Sequence, residues 1–358
     1  MSGKGKISYV FTSSYSDRGF YTFIPGLLEG LKKVYVLKGA PGSGKSTLIR
    51  SLGDEMSERG YEVDFWMSAE DSMNPEGLYI IQLECAVVNG NLPVAIDPRY
   101  PGLTGSIVNL SEYLDEMSIS PWGAEIVELV DQVLVQSRAA EELLHQASAV
   151  REQMIQAGCQ QMDENRVNLL LDRLEKEILQ QQPGGRHYFG TSLTADGIVN
   201  YVDEISSRCK IRYLLKGSAG AGRIIDEMAV RAKKSGYSVE YYHCGINPSR
   251  VIMLIVSHLQ LAIIDAGDAE LSIRPGDRLV DMTDCMGEPA APDQAQEQTV
   301  FQRHYEGLLM QAQGELEGAH KARRNLKRLY SSALNFELLE QKRQELFQAI
   351  VACAKDNS

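Results

Sequence analysis

The chain has 358 residues, of which 44% are hydrophobic and 23% charged, a composition typical of globular proteins that bury large apolar cores. Its formal net charge of -12 argues against non-specific nucleic-acid binding, which needs many lysine and arginine contacts with phosphates. The six cysteines are scattered along the chain, the first residues are polar, and no apolar run approaches transmembrane length. We therefore expect a cytoplasmic protein of two or three domains, with reduced thiols and no membrane anchor.

The first predicted elements lead to a glycine-rich loop. A strand is predicted at residues 7–12, a helix at residues 19–31 and an apolar strand at residues 34–37. Residues 39–46 then read Gly-Ala-Pro-Gly-Ser-Gly-Lys-Ser, which matches the phosphate-binding pattern G-x-x-x-x-G-K-[ST], and helix-forming residues follow. In a P-loop of this kind (the Walker A motif), backbone N–H groups and the N-terminus of the helix bind phosphate.

This loop predicts a nucleotide site. Lys45 would contact the β- and γ-phosphates of ATP, and the Ser46 hydroxyl would bind Mg²⁺. The residues expected to bind nucleotide are Gly39, Ala40, Pro41, Gly42, Ser43, Gly44, Lys45, Ser46 and Thr47.

Phosphoryl transfer also needs a carboxylate near the metal and a group that positions the nucleophile. An acid is expected at the end of the apolar segment at residues 83–89, but that position is Asn89. The candidates to replace it are Glu70 and Asp71, which follow a strand predicted at residues 62–67, and Asp97. Glu70 and Asp71 are favoured because ligands of parallel sheets bind beyond the carboxyl ends of the strands. Each of the three can also be read as an ordinary loop residue.

A strongly helical region runs from about residue 122 to residue 182, and residues 299–355 have the same character. We interpret each as a long helical hairpin with an apolar face, formed by Leu169, Leu170, Leu174 and Ile178 in the first and by Leu338, Leu339, Leu346 and Ile350 in the second. Such hairpins would pack against the sheet or against each other. The alternative is an arm that binds a protein partner or mediates oligomerisation.

The second half of the chain repeats the first. Tyr-Val-Leu-Lys-Gly at residues 35–39 is matched 178 positions later by Tyr-Leu-Leu-Lys-Gly at residues 213–217. The second loop keeps its glycines, but Arg223 stands at the position of Lys45 and the next residue is an isoleucine, which cannot bind a metal. We expect this degenerate site not to hydrolyse nucleotide; its residues are Gly217, Gly220, Gly222 and Arg223. The alternative role of Arg223 is an arginine finger that reaches the first site. Asp265 occupies the position that Asn89 has in the first half.

These patterns predict an α/β fold of two tandem P-loop NTPase-like parallel-sheet domains, each followed by a long helical hairpin. The first domain covers residues 1–185 and contains the intact Walker A loop, and the second covers residues 186–358 and contains the degenerate loop. The boundary falls at residues 182–186, where Pro-Gly-Gly interrupts the helical region. Residues 287–298 are interpreted as a polar linker.

The chain resembles an uncharacterised bacterial family of tandem P-loop NTPases, usually labelled ATPase or nucleotide-kinase-like. The resemblance covers most of the chain and is carried by the duplicated loops and by Asp-Pro-Arg-Tyr-Pro-Gly at residues 97–102 with Ile-Val-Asn-Leu at residues 107–110. It implies nucleotide binding and names no substrate. Members carry Asp-Gly-Thr and Pro-His before the Asp-Pro pair, where this chain has Asn-Gly-Asn at residues 89–91 and Pro-Val at residues 93–94.

Three functional hypotheses follow. The first is an ATP-binding protein that hydrolyses ATP slowly with Mg²⁺ and whose nucleotide state regulates contacts of the helical hairpins with protein partners. The second is a nucleotide or small-molecule kinase, for which Arg99 and a hairpin could form a lid. The third is a non-catalytic scaffold that senses nucleotide. A nucleic-acid motor is disfavoured by the acidic composition.

Overall fold

A twelve-stranded sheet forms the centre of the molecule in a computed structural model that describes residues 4–159, 162–178, 184–217, 220–267, 271–286 and 292–355. Two separate hairpins pair β2 with β3 and β10 with β11. The strands are β1 (Ile7–Phe11), β2 (Ser13–Ser16), β3 (Gly19–Thr22), β4 (Lys33–Lys38), β5 (Val63–Met67), β6 (Pro75–Ile80), β7 (Cys85–Asn89), β8 (Gly105–Asn109), β9 (Gly184–Phe189), β10 (Thr191–Thr194), β11 (Gly197–Asn200), β12 (Ile211–Lys216), β13 (Ser238–His243), β14 (Val251–Val256), β15 (Leu261–Asp265) and β16 (Arg278–Asp281).

The helices cover both faces of this sheet. Helices α4 and α8 lie with the two hairpins on one face, and α2, α5, α7 and α9 lie on the other, so the fold has three layers. The helices are α1 (Ile24–Leu27), α2 (Lys45–Glu58), α3 (Glu116–Ile119), α4 (Gly123–Cys159), α5 (Glu164–Ile178), α6 (Val202–Ser206), α7 (Ala221–Lys234), α8 (Pro292–Ser332) and α9 (Phe336–Lys355). Among the described residues, no helix is long and apolar enough to cross a membrane.

The strand order shows the internal repeat. It runs β16-β12-β15-β14-β13-β9-β1-β5-β6-β7-β4-β8, so residues 4–178 (the first half) and residues 184–355 (the second half) each supply six strands. The halves meet where β1 pairs antiparallel with β9. They therefore share one continuous sheet.

The predicted parallel sheets are in fact mixed. Strand β6 runs antiparallel to both β5 and β7, and β14 runs antiparallel to both β13 and β15. Only residues 68–74 connect β5 to β6, and a connection this short cannot make the crossover that a parallel pair requires. The α/β class is confirmed and the purely parallel arrangement is wrong.

Three other local predictions also differ from the structure. The helix predicted at residues 19–31 is instead the second strand of the β2–β3 hairpin followed by the short α1, because the aromatic and hydroxyl residues here favour strand. Residues 287–291 of the predicted linker lie outside the described residues, and from Pro292 the chain is already helical. The predicted domain boundary at residues 182–186 lies in part outside the described residues.

The helices of each predicted hairpin pack against different neighbours. The two long helices, α4 and α8, run antiparallel, with Ile126 and Leu129 near Leu326 and Val150 near Leu308. Helix α5 covers α7 of the other half, because the side that buries Val167, Leu171 and Leu174 faces Ile224 and Met228. The predicted apolar face of α5 is thus only partly correct, since Leu170 and Leu174 are buried but Leu169 is exposed. The side chain of Ile178, the fourth residue of that face, lies outside the described part of the structure.

Helix α9 makes the reciprocal contact with the first half. Leu346, Phe347 and Ile350 are buried with Leu48 and Leu52 of α2 in the same core. In the predicted face of α9, Leu346 and Ile350 are buried, whereas Leu338 is exposed. The last helix of each half thus packs on the other half: α5 of the first half covers α7, and α9 of the second half covers α2.

Candidate functional site

The loop at residues 39–46 joins β4 to α2 in the way that its sequence predicts. Gly39, Gly42 and Gly44 have positive φ angles of 150°, 83° and 88°, which residues with a Cβ rarely adopt. Gly44 is the N-cap of α2, so the unpaired N–H groups of the first helical turn point toward the loop. The loop therefore has the backbone conformation and the helix N-terminus of an anion-binding site.

Lys45 lies under this loop and is almost fully buried. Its Nζ donates to the carbonyl oxygens of Gly39 at 2.5 Å and Ala40 at 2.9 Å. Burial, with a smaller effect of the Lys327 charge, lowers the pKa of Lys45 to about 8. At neutral pH the ammonium group is thus still mostly protonated and can exchange loop carbonyls for phosphate oxygens.

The loop opens into a cleft of 1020 Å³. Its walls come from the loop, from the carboxyl ends of β5 and β7, from α4, and from α8 of the second half. Lys45, Ser46, Glu70 and Asp71 all line this cleft, so the structure brings together four of the residues singled out from the sequence.

Helix α8 supplies two cations that hold the predicted acids. Arg323 Nη2 lies 2.8 Å from Glu70 Oε1 and 2.6 Å from the Tyr15 hydroxyl. Lys327 Nζ lies 2.7 Å from Asp71 Oδ2. Burial raises the pKa of Asp71, but the hydrogen bond and charge of Lys327 outweigh burial and leave that pKa below its ordinary value.

The α8–α9 corner also touches the loop itself. A Cβ added to Gly42 would lie 2.4 Å from the Lys327 carbonyl oxygen, and one added to Gly44 would lie 2.6 Å from Leu339 Cδ2. The second half thus packs directly on the glycines of the first.

Asp97 does not belong to this cleft. Its carboxylate lies 2.9 Å from Lys38 Nζ, is largely exposed, and is not among the residues that line the cavity. Its partner Lys38 does line the cavity, and the role of Asp97 in positioning metal or water stays a prediction.

Glu76 is an acid in the cleft that sequence reasoning missed. It is only 1% exposed, accepts a hydrogen bond from the Thr12 hydroxyl at 2.9 Å and another from the Ser13 hydroxyl, and lines the cavity. Burial raises its pKa to about 8, although these two donors and the Ser68 side chain act in the opposite direction. Its neighbours Pro75 and Gly77 make the sequence look like a turn, so no local pattern indicates a buried strand acid.

The two cations of α8 were also missed. Arg323 and Lys327 lie one helical turn apart on a charged helix, a pattern that is ordinarily a solvated face. Only the tertiary packing of α8 across the first half reveals their position.

The described part of the second loop is contacted by the first half, much as the first loop is contacted by the second half. A Cβ added to Gly220 would lie 2.5 Å from Met162 Sδ, and Arg223 makes two hydrogen bonds to Glu164 of α5 at 2.7 and 2.6 Å. Asp265 pairs with Arg250 at 2.6 Å. Residues 218–219 lie outside the described residues. Arg223 is thus held by α5 and does not line the first cleft, which removes the geometric basis for an arginine finger.

No protein-family model, curated protein or solved structure matches this chain.

Proposed function

We propose that the protein binds ATP with Mg²⁺ in the first cleft and hydrolyses it slowly. The observation that carries this proposal is the position of Lys45. It lies buried beneath a left-handed glycine loop, at the N-terminus of α2, and faces a cavity lined by carboxylates. A buried cation beside free backbone N–H groups suits a polyphosphate. The degenerate second loop would keep a structural role, in line with the resemblance to tandem P-loop NTPases.

The cleft residues fit Mg²⁺ as a companion of the phosphates. Ser46, Asn89, Glu70 and Asp71 supply hydroxyl, amide and carboxylate oxygens, which are the donors that Mg²⁺ prefers. The described residues contain no group of three or more histidine, cysteine or acidic side chains that could hold a metal ion. The ion would therefore be bound partly by ATP, with the Ser46 hydroxyl as its first protein ligand, and it would neutralise charge on the phosphates.

The remaining roles follow from position. Lys45 would stabilise the negative charge of the β- and γ-phosphates, and the N–H groups of residues 44–46 at the start of α2 would surround the β-phosphate. Glu70 and Asp71 are held by Arg323 and Lys327, so a γ-phosphate in the cleft would compete for these two cations. ATP would thereby change the contacts between α8 and the first half, so the nucleotide state would affect how the long helices pack.

Binding of ATP–Mg²⁺ by purified protein tests the proposal. Lys45→Ala should weaken binding by about 10- to 100-fold, because a charge-assisted contact with phosphate is lost. Arg223→Ala is the matched control, since it removes the cation at the same position of the second loop and should leave affinity unchanged. Equal binding by wild-type protein and Lys45→Ala would contradict the proposal.

Phosphate release separates the three hypotheses. Release without an added acceptor supports the ATPase, and release that needs a nucleoside or metabolite supports the kinase. Tight binding with no turnover in either assay supports the sensing scaffold.

A further inference from the structure

Glu76 sits at an irregularity of the sheet beside the cleft. Trp66 of β5 pairs with Gly77 of β6, but the next residue, Met67, pairs with Pro75, so Glu76 is an extra residue in the β6 strand. Such a β-bulge redirects a side chain, and bulges are frequent next to active sites. On the other side, the pairing of β6 with β7 ends at Gly77 and Val88, and Glu76 and Asn89 are the next residues of the two strands beyond that last pair.

This register places a carboxyl group beside the position where the sequence lacks one. Asn89 ends the strand next to β4, pairs with Leu37, and lines the cleft, as Glu76 does. The acid that is missing from β7 is thus present on the adjacent strand.

The carboxyl group of Glu76 is bound on one side only. Both hydroxyl donors, Thr12 and Ser13, bind Oε1. The Ser68 side chain also lies close enough to lower the pKa of Glu76. Oε2 itself is buried and makes no hydrogen bond of ordinary geometry with the described residues. A buried, unpartnered carboxyl oxygen is costly, and a purely structural glutamate would be expected to satisfy both oxygens.

The second half provides an internal comparison. There Tyr242 pairs with Met253 and His243 with Val251, so the same bulge is present and Ile252 occupies it. Ile252 lies against Gly190, which stands 178 positions after Thr12. The half that has lost the lysine and serine of its loop has therefore also replaced this acid and one of its two hydroxyl donors, Thr12, with residues that cannot make the contact. The other donor, Ser13, corresponds to Thr191, which keeps its hydroxyl and accepts a hydrogen bond from the Gly245 N–H.

We infer that Glu76 is the general base of the proposed ATPase, and that its Oε2 accepts the proton of the attacking water. In this step the water oxygen bonds to the γ-phosphorus, and the bond from that phosphorus to the oxygen bridging to the β-phosphate breaks. The bridging oxygen leaves on ADP with the electron pair, and the water proton moves to Glu76. The inference rests on the proposed function, because it assigns a role within the same cleft.

The surroundings of Glu76 set its pH dependence. The titratable groups that share the cleft with it lie on every surrounding element: Glu70 and Asp71 in the β5–β6 connection, Tyr15 on β2, Lys38 on β4, Lys45 on α2, Arg138 and Glu141 on α4, and His320, Arg323 and Lys327 on α8. Burial first, and the Glu70 charge to a smaller extent, raise the pKa of Glu76 to about 8. Turnover should therefore rise with pH from 6 to 8, as the carboxyl group ionises and can accept a proton.

The experiment compares ATP binding and phosphate release from pH 6 to pH 9 in wild-type protein and Glu76→Gln. The amide keeps the shape and can still accept the hydrogen bonds of Thr12 and Ser13, so binding should stay within about twofold. Phosphate release should fall by at least about 100-fold, and the rise of turnover with pH should disappear. Glu62→Gln is the matched control, because it makes the same chemical change at an exposed residue outside the cleft.

The double variant Thr12→Gly, Glu76→Ile copies the packing of the second half and provides a second folded test. It too should bind ATP without releasing phosphate. Unchanged turnover in Glu76→Gln would overturn the inference and leave the proposed ATPase intact, whereas wild-type protein that binds ATP but releases no phosphate at any pH tested would overturn both the inference and the proposed hydrolysis. Wild-type protein that does not bind ATP would instead overturn the proposed function.

Discussion

The stability of the fold should depend on pH through Glu76. Its carboxyl group has an ordinary pKa of 4.5 when the chain is unfolded and a pKa of about 8 in the folded protein. Below pH 4.5 both states hold the proton. Between pH 4.5 and 8 the folded state holds the proton and the unfolded state does not, so the free energy of unfolding falls as pH rises.

The size of this effect follows from the two pKa values. Each pH unit in this interval lowers the free energy of unfolding by about 1.4 kcal/mol, so the accumulated loss at pH 7 is on the order of 3 kcal/mol. Glutamine has the same shape and no charge to neutralise. Glu76→Gln should therefore stabilise the protein at pH 7 by about 2–3 kcal/mol and by almost nothing at pH 4.5.

Urea unfolding of wild-type protein and Glu76→Gln at pH 4.5, 6 and 7.5 measures this difference. The gap between the two free energies of unfolding should widen with pH, and Glu62→Gln should show no such trend. A variant that is less stable than wild-type protein at pH 7.5, or a gap that does not change with pH, would refute the reasoning. If Glu76 is kept for function, Glu76→Gln should gain stability and lose turnover together.

Three further predictions concern packing and charge. Gly53→Ala should lower the free energy of unfolding in urea by about 1–3 kcal/mol, because the new Cβ would lie 2.4 Å from Phe65 Cζ. The control is Gly314→Ala on α8, where a new Cβ has nothing within 4 Å and should raise the free energy of unfolding by about 0.5–1 kcal/mol. Equal effects of the two substitutions would contradict this prediction. Arg212→Ala should lower the free energy of unfolding by about 3–5 kcal/mol, because the carboxylates of Asp203 and Asp277, each 2.6 Å from this buried guanidinium, would lose their partner. A loss under 1 kcal/mol would show that these ion pairs are not needed for stability. Lys327→Ala removes a charge that helps to lower the pKa of Lys45, so the pKa of Lys45 should rise and the loss of ATP affinity at alkaline pH should occur at a higher pH. Binding titrations from pH 7 to 10 measure the midpoint of that loss, and an unchanged midpoint would argue against this coupling.

The sequence predicts those parts of the fold that depend on local pattern. The strand, glycine loop and helix around Lys45 are found as expected, because apolar periodicity and left-handed glycines act within a few residues. The mixed sheet was not predicted, since strand direction depends on the length and path of a connection as well as on the strand residues.

The candidate site was predicted only in part for a similar reason. Glu70 and Asp71 follow the carboxyl end of β5, where ligands of such sheets are expected to bind, and both line the cleft. Glu76 was missed because proline and glycine flank it, and the bulge that redirects it exists only once β5 and β6 pair. Arg323 lies 253 positions beyond Glu70 in the chain, and no local pattern indicates that they meet.

The reciprocal placement of α5 and α9 has a consequence for how such a chain could arise. If each half were a separate chain, two copies that traded their last helices would give the same packing of α5 on α7 and of α9 on α2. Joining the copies makes that assembly intramolecular, with an effective concentration on the order of millimolar in place of a dependence on protein concentration. If the proposed phosphate site of the first half is sufficient, the second loop of a fused pair is free to change. The final helix α9 must persist, because it covers α2 of the first half.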